Sequence, residues 1–139
     1  MNTSTQSERQ AVILDHLSQE GFRPTVEEDG DIGFKYQGEQ LWIQVGEFDS
    51  MYYRIMGYSL KITSADEVKY AYIAASRTSQ HFKVVKAYLT LNEQHVSVCI
   101  EAFSASATDF ISILEKSINL VVAGRAKLNQ DFTNLISNL

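Results

Sequence analysis

The chain has 139 residues, 45% hydrophobic and 21% charged, which fits one globular domain with a sizeable core. A net charge of −5 and an isoelectric point near 5.1 repel phosphates and argue against nucleic-acid binding. The single cysteine, Cys99, excludes an intramolecular disulfide, and the polar start MNTSTQSERQ with no long apolar run points to a cytoplasmic protein that does not engage a membrane.

The first predicted element is a helix, capped by Ser7 with Gln10 completing a capping box. Val12, Ile13, Leu14 and Leu17 form its apolar face, and Gly21 is placed to end it in a left-handed conformation. From Phe22 the apolar period falls to two. The lone proline, Pro24, belongs at a strand start or a sheet edge. Asp29-Gly30 signals a hairpin with a primed turn, and Gln37-Gly38 signals a second, weaker one. Ile32, Phe34 and Tyr36 alternate between these turns. Leu41, Ile43 and Val45 alternate after them, with Trp42 on the opposite side.

Ser50 to Ile62 reads as a long strand. Tyr53 and Ile55 occupy one side; Tyr52, Met56, Tyr58 and Leu60 occupy the other. Ser64 and Glu67 form a capping box for a second helix, with Val68, Ala71, Tyr72 and Ala75 along one side. Two strands follow, one from His81 to Leu89 and one around Val96, Val98 and Ile100. A last helix starts near Ser106 or Thr108 and carries Ile111, Leu114, Ile118, Val121, Leu128, Phe132 and Leu135 at three-four spacing. Unbroken to Ser137, it would be about 45 Å long. A domain of this size has a radius of gyration of only about 14 Å. The helix is therefore expected to bend near Gly124, to project, or to pack on a second copy. The fold class is α+β, an antiparallel sheet with helices on one face in the order α-β-β-β-β-α-β-β-α, forming one domain over residues 1–139.

No catalytic, metal or cofactor site emerges from the residue pattern. His16, His81 and His95 share no helical ligand spacing, and no Cys-x-x-Cys is present. His81 and His95 fall on neighbouring predicted strands, where a pair is conceivable in an enzyme, but two strand-end surface residues are the simpler account. His95 and Cys99 lie four apart in one strand, about 13 Å by strand rise, too far for a direct dyad. Cys99 suits a small buried position. Glu27, Glu28, Asp29 and Asp31 bracket a hairpin tip, where solvation explains them. Gly30, Gly33 and Gly38 lack the spacing of a phosphate loop.

The aromatic and thioether side chains are the remaining unusual feature. If Leu41, Ile43 and Val45 face the helices, Trp42 faces away, as does part of the Tyr52, Met56 and Tyr58 row. An apolar outer sheet face marks a contact surface, and Trp, Tyr and Met favour interfaces. Trp42, Tyr52, Met56 and Tyr58 are therefore the candidate partner-binding residues. The competing reading makes them core beneath the last helix. An alternative function is a small-molecule sensor with a pocket between sheet and last helix, where Tyr36, His81 and Arg125 would supply polar groups.

Several stretches together resemble the YbjN-like family of small bacterial proteins, which shares its fold with type III secretion chaperones. They are a first helix ending at EGF, the segment DGDIGFKYQGEQLWIQV, a strand leading to SLKI before the capped helix from Ala65, and HFKVVKAYLTLNEQHVSVCIEAF before a closing amphipathic helix. The resemblance spans most of the chain and is one of element order and hydrophobic pattern. It implies a non-enzymatic, often dimeric, cytoplasmic protein that binds other proteins, and it carries over no catalytic residues and no cofactor.

Overall fold

The structure, a computed structural model, describes residues 5–138. In chain order the elements are helix α1 (Gln6–Gln19), strands β1 (Thr25–Val26), β2 (Ile32–Tyr36), β3 (Glu39–Val45) and β4 (Tyr52–Lys61), a single 3-10 turn (Ala65–Glu67) leading into α2 (Val68–His81), strands β5 (Lys86–Leu89) and β6 (His95–Phe103), and helix α3 (Ala107–Ser137). The strands form one six-stranded antiparallel sheet ordered β1-β2-β3-β4-β6-β5, with the helices on one side, as the sequence pattern implies. Contacts divide the chain into two compact units. The first runs to Ile55 and returns for Glu101–Ser117; the second comprises Met56–Ile100 and the chain from Ile118 onward.

In the first unit, α1 is capped by Thr5, not Ser7: the Thr5 hydroxyl accepts from the Glu8 amide at 3.1 Å. Threonine does this work two residues upstream because the helix starts earlier than the apolar face reveals. Gln10 instead donates to the Gly30 carbonyl at 2.7 Å and fastens α1 to the first hairpin. The helix ends as expected at Gly21, whose φ of +93° allows the Phe22 amide to reach the Leu17 carbonyl and its own amide to reach Ser18. Phe22 then packs edge-on against Phe34, with ring centroids 5.5 Å apart.

The two turns exchange the roles the sequence suggests. Gln37 and Gly38 both have positive φ, the signature of a primed two-residue turn, between β2 and β3. Asp29 does not; only Gly30 does, inside a wider loop in which Glu27 and Asp31 pair through their backbones. Asp29 there accepts from the Asp31 amide, a local bond that competes with the primed geometry. Ile32, Phe34, Leu41, Ile43, Val45, Tyr53 and Ile55 are all buried and line the core.

In the second unit, Glu67 accepts from the Thr63 hydroxyl, the Thr63 amide and the Ser64 amide at the head of α2. The Thr63 hydroxyl and backbone hold its carboxyl below its ordinary value. Ala71, Ala74, Ala75 and Thr78 form the buried side of α2, whereas Tyr72, expected on that side, is exposed. The helix runs on to His81, so the expected strand from His81 shrinks to Lys86–Leu89. The alternation at Phe82 to Val85 belongs to a connecting segment, in which Val84 takes a φ of +57°. A β-branched residue is strained there by about 1–2 kcal/mol. Val84 is exposed and anchors nothing in the core. Val84→Asn is therefore expected to raise the unfolding free energy by about 1 kcal/mol, read from urea midpoints, while a loss would show that Val84 is held by packing.

Helix α3 is continuous through Gly124, so of the three outcomes the sequence left open the break near Gly124 does not occur. At 31 residues it is about 46 Å long. Ser106 caps it, its hydroxyl accepting from the Asp109 amide. Gly124 is instead a point of close approach: a Cβ there would lie 3.1 Å from Val98 Cγ1 and 3.4 Å from Val85 Cγ1. Ser59 on β4 donates to Asn129 at 2.8 Å farther along the helix.

Candidate functional site

Alternation along β4 puts Tyr53 and Ile55 on the helix-covered face and Tyr52, Arg54, Met56 and Tyr58 on the other. On β6 the covered face carries Val96, Val98 and Ile100, and the opposite face carries Ser97, Cys99, Glu101 and Phe103. Trp42 on β3 alternates with buried Leu41 and Ile43, sits opposite Gly33 on β2, and is half-buried. The four candidate contact residues thus lie on the helix-free face. They fall in different units, Trp42 and Tyr52 in the first, Met56 and Tyr58 in the second.

In the first unit Tyr52 is the centre of a cluster. Its hydroxyl donates to Glu101 Oε2 at 2.6 Å, and its ring meets Phe103 edge-on at 6.4 Å. Phe103 is 72% exposed, Met51 beside Tyr52 is 47% exposed, and Phe48 in the β3–β4 loop is 95% exposed. Phe103 meets Tyr52 at the end of β6, while Phe48 and Met51 lie in the loop between β3 and β4. The Met51 carbonyl accepts from the Ser104 amide at 2.8 Å, which ties the loop to the end of β6.

The loop bearing Phe48 and Met51 is itself pinned. Gly46 donates to the Tyr52 carbonyl, Tyr52 donates to the Asp49 carbonyl, and Asp49 Oδ1 accepts from the Met51 amide. A Cβ on Gly46 would collide with the Asp49 carbonyl oxygen, so the turn closes only around glycine. Arg9, buried within α1, donates through Nη2 to the Gly46 carbonyl at 2.6 Å and lies over the Tyr53 ring. A charge-assisted bond of this length holds the base of the loop against the core. The exposed apolar residues are therefore displayed on a fixed frame.

In the second unit Met56 is nearly sealed, at 8% exposure, and Ser97 and Cys99 on the same face are fully covered. Lys86 and Tyr88 of β5 pair with Cys99 and Ser97 and shield them. Tyr58 is exposed and packs against His95, ring centroids 5.4 Å apart. This part of the sheet thus roofs its own small residues with long neighbours and presents mainly the Tyr58 ring.

The histidines His81 and His95 do not form a strand pair. His81 ends α2 beside Phe82, while His95 opens β6 beside Tyr58, so the two are not strand neighbours as the sequence suggested. Among the described residues no cluster of three His, Cys, Asp or Glu side chains is arranged to hold a metal ion. Burial, with the neighbouring Asp29 charge, pushes the Asp31 carboxyl above its ordinary value, while Arg54 pulls it the other way. A shallow depression of about 410 Å³ in the first unit is lined by Phe22, Arg23, Phe34, Lys35 and Gln40 among others. Another of about 680 Å³ in the second is lined by Asp66, Lys69, Tyr70 and Tyr72 among others. Neither is lined by Tyr36, His81 or Arg125.

Phe48, Met51 and Phe103 escape a reading based on alternation, because two lie in a loop and the third at a strand end. The stretch GEFDSM does hold a signal: a large ring between two carboxylates, in a turn that has no apolar partner in sequence.

No protein-family model and no curated protein matches the chain. Among solved structures it is similar to an uncharacterised protein from Methanothermobacter thermautotrophicus, with a TM-score of 0.59 at 16% identity over 89% of this chain and 99% of that one. It is also similar to YbjN from E. coli, a candidate transcription regulator, with a TM-score of 0.66 at 11% identity over 86% of this chain and 90% of that one. The likeness is one of fold, and it agrees with the resemblance seen in the sequence. No helix among the described residues is long and apolar enough to cross a membrane.

Proposed function

We propose that this chain, with its YbjN-like fold, is a non-enzymatic protein-interaction module that binds a partner protein through the helix-free side of its sheet. Exposed Phe103 packed on Tyr52, with exposed Phe48 and Met51 in the adjoining loop, carries this reading. Large apolar side chains on a rigid frame lose little entropy on binding, and aromatic anchors dominate interface energies. Trp42 extends the same face within the first unit; in the second unit Tyr58 supplies a smaller contact of its own, whereas Met56 is covered and does not. Of the similar solved structures, the one from E. coli is a candidate transcription regulator.

The test is differential capture. Tagged chain and its Phe48→Ser/Phe103→Ser variant are incubated with extract of the native cell, and bound proteins are quantified. Both side chains are solvent-exposed, so the variant is expected to keep the thermal midpoint of the parent. At least one protein is expected to be depleted by about tenfold or more in the variant. Equal capture by the two forms would sink the assignment.

A further inference from the structure

We propose a second binding site, for a small organic carboxylate with an apolar body, in the depression beside β1 and β2; it is independent of the interaction reading above. The site lies wholly within the first unit. Its volume of about 410 Å³ falls within the range of about 300–1,000 Å³ typical of small-ligand sites. Charge carries the inference. β1 pairs with β2 only at Thr25↔Gly33 and Val26↔Ile32. Carried two residues further, the same register sets Arg23 opposite Lys35. Like charges directly across a strand pair repel, and Pro24 between them has no amide proton to give, so both oppose further pairing. Arg23 and Lys35 are left exposed, and both line the depression. Neither has an ion-pair partner among the described residues, although the chain carries 17 acidic residues against 12 basic ones.

An anion between the two cations removes their repulsion and accepts charge-assisted hydrogen bonds from both, with the guanidinium fork matching a planar carboxylate. A net charge of −5 disfavours a doubly charged phosphate more than a singly charged acid. Glu27 limits where the anion sits. A Cβ on Gly33 would lie 2.9 Å from Glu27 Oε1, so that carboxylate closes the Gly33 end to anions. Lys35 is two residues, about 7 Å, farther along β2, clear of it. The apolar body of the ligand has its own surface. Phe22 also lines the depression and is only half-buried. Its ring is fixed from behind by Phe34 and Tyr36, with centroids 5.5 and 6.0 Å away. An acid held by Arg23 and Lys35 thus lays its ring or short aliphatic chain on Phe22. The depression is shallow, so binding is expected to be weak and sensitive to salt.

The experiment follows amide shifts of the full chain during titration with phenylacetate, with neutral phenylacetamide, and with an end-blocked peptide carrying an internal Glu-Phe pair. Phenylacetate is expected to bind about tenfold or more tightly than either, with shifts centred on residues 21–25 and 33–36, and to weaken as salt rises. Arg23→Gln/Lys35→Gln changes two exposed side chains, so it is expected to keep the thermal midpoint and lose about tenfold or more in affinity. Lys83→Gln/Lys116→Gln removes the same charge from exposed positions elsewhere and is expected to bind within about twofold of the parent. Equal binding of phenylacetamide would overturn the carboxylate assignment. Tighter binding of the blocked peptide would overturn the small acid as occupant. Shifts centred elsewhere, unchanged binding in Arg23→Gln/Lys35→Gln, or an equal loss in Lys83→Gln/Lys116→Gln would overturn the site. Each of these outcomes leaves the capture experiment to judge the interaction surface by itself.

Discussion

Replacing Tyr53 by alanine is expected to cost about 3–5 kcal/mol of stability, whereas replacing it by phenylalanine is expected to cost nothing. Tyr53 is fully buried and stacks on Phe110 of α3, centroids 4.5 Å apart and planes within 11°. The Arg9 guanidinium lies 5.6 Å from the ring centroid. Alanine removes the stack, the cation–π contact and the ring volume together. The hydroxyl, in contrast, has no hydrogen-bond partner among the described residues. A buried hydroxyl without a partner opposes folding by about 1–3 kcal/mol, so Tyr53→Phe should be neutral or stabilising by about 1 kcal/mol. Urea denaturation of both variants decides the matter. A loss above about 1 kcal/mol in Tyr53→Phe would mean that the hydroxyl is satisfied, and that its role is polar as well as apolar. The alanine variant should also loosen the loop that Arg9 holds through Gly46, which amide exchange at residues 47–51 would reveal.

Gly124 offers a second large effect, and one whose sign depends on a neighbour. Gly124→Leu is expected to destabilise by about 3 kcal/mol, because there is no space for a side chain between α3 and Val98, Val85 and Thr78. Gly124→Ala is a balance. Alanine gains about 1 kcal/mol of helix propensity, and its Cβ loses a similar amount at 3.1 Å from Val98 Cγ1. The double-mutant cycle separates these terms. In a Val98→Ala background the contact is gone, and Gly124→Ala should stabilise by about 1 kcal/mol. If Gly124→Ala stabilises equally in both backgrounds, the close approach is not what retains glycine there.

Both effects show how the fold supports the proposed surface. Arg9, Tyr53 and Phe110 fix the core under the β3–β4 loop, and Gly46 lets that loop close. Phe48 and Met51 are then displayed without local support from other apolar side chains in sequence. Such exposure is tolerable for single residues but unusual for a cluster of large ones, which is why the cluster carries the functional reading.

Much of this was legible in the residues alone. Periods of two and of 3.6 reveal which elements form, and capping residues and glycines reveal where several end. The order of elements, the facing of Tyr53 and Ile55 against Tyr52 and Met56, and the stop at Gly21 all follow from such local rules. Local rules fail where two of them compete. Asp29 satisfies its own turn through a side-chain bond, so the primed turn forms at Gln37-Gly38 instead. Alternation at Phe82–Val85 resembles a strand, yet α2 keeps its last turn because Ala74, Ala75 and Thr78 are buried there.

Only tertiary structure decided which apolar residues stay in solvent. Met56 reads the same as Tyr52 in sequence, two pleats along one strand, yet its neighbours cover it. Phe48 and Phe103 have no periodic signal, and their exposure depends on where the ends of three strands meet. Gly124 likewise reads in sequence as one place for the helix to bend, and becomes a contact point because Val98 of β6 lies against it. Local pattern reports the conformation of each segment; exposure is a property of what lies across from it, and that is set by contacts distant in the chain.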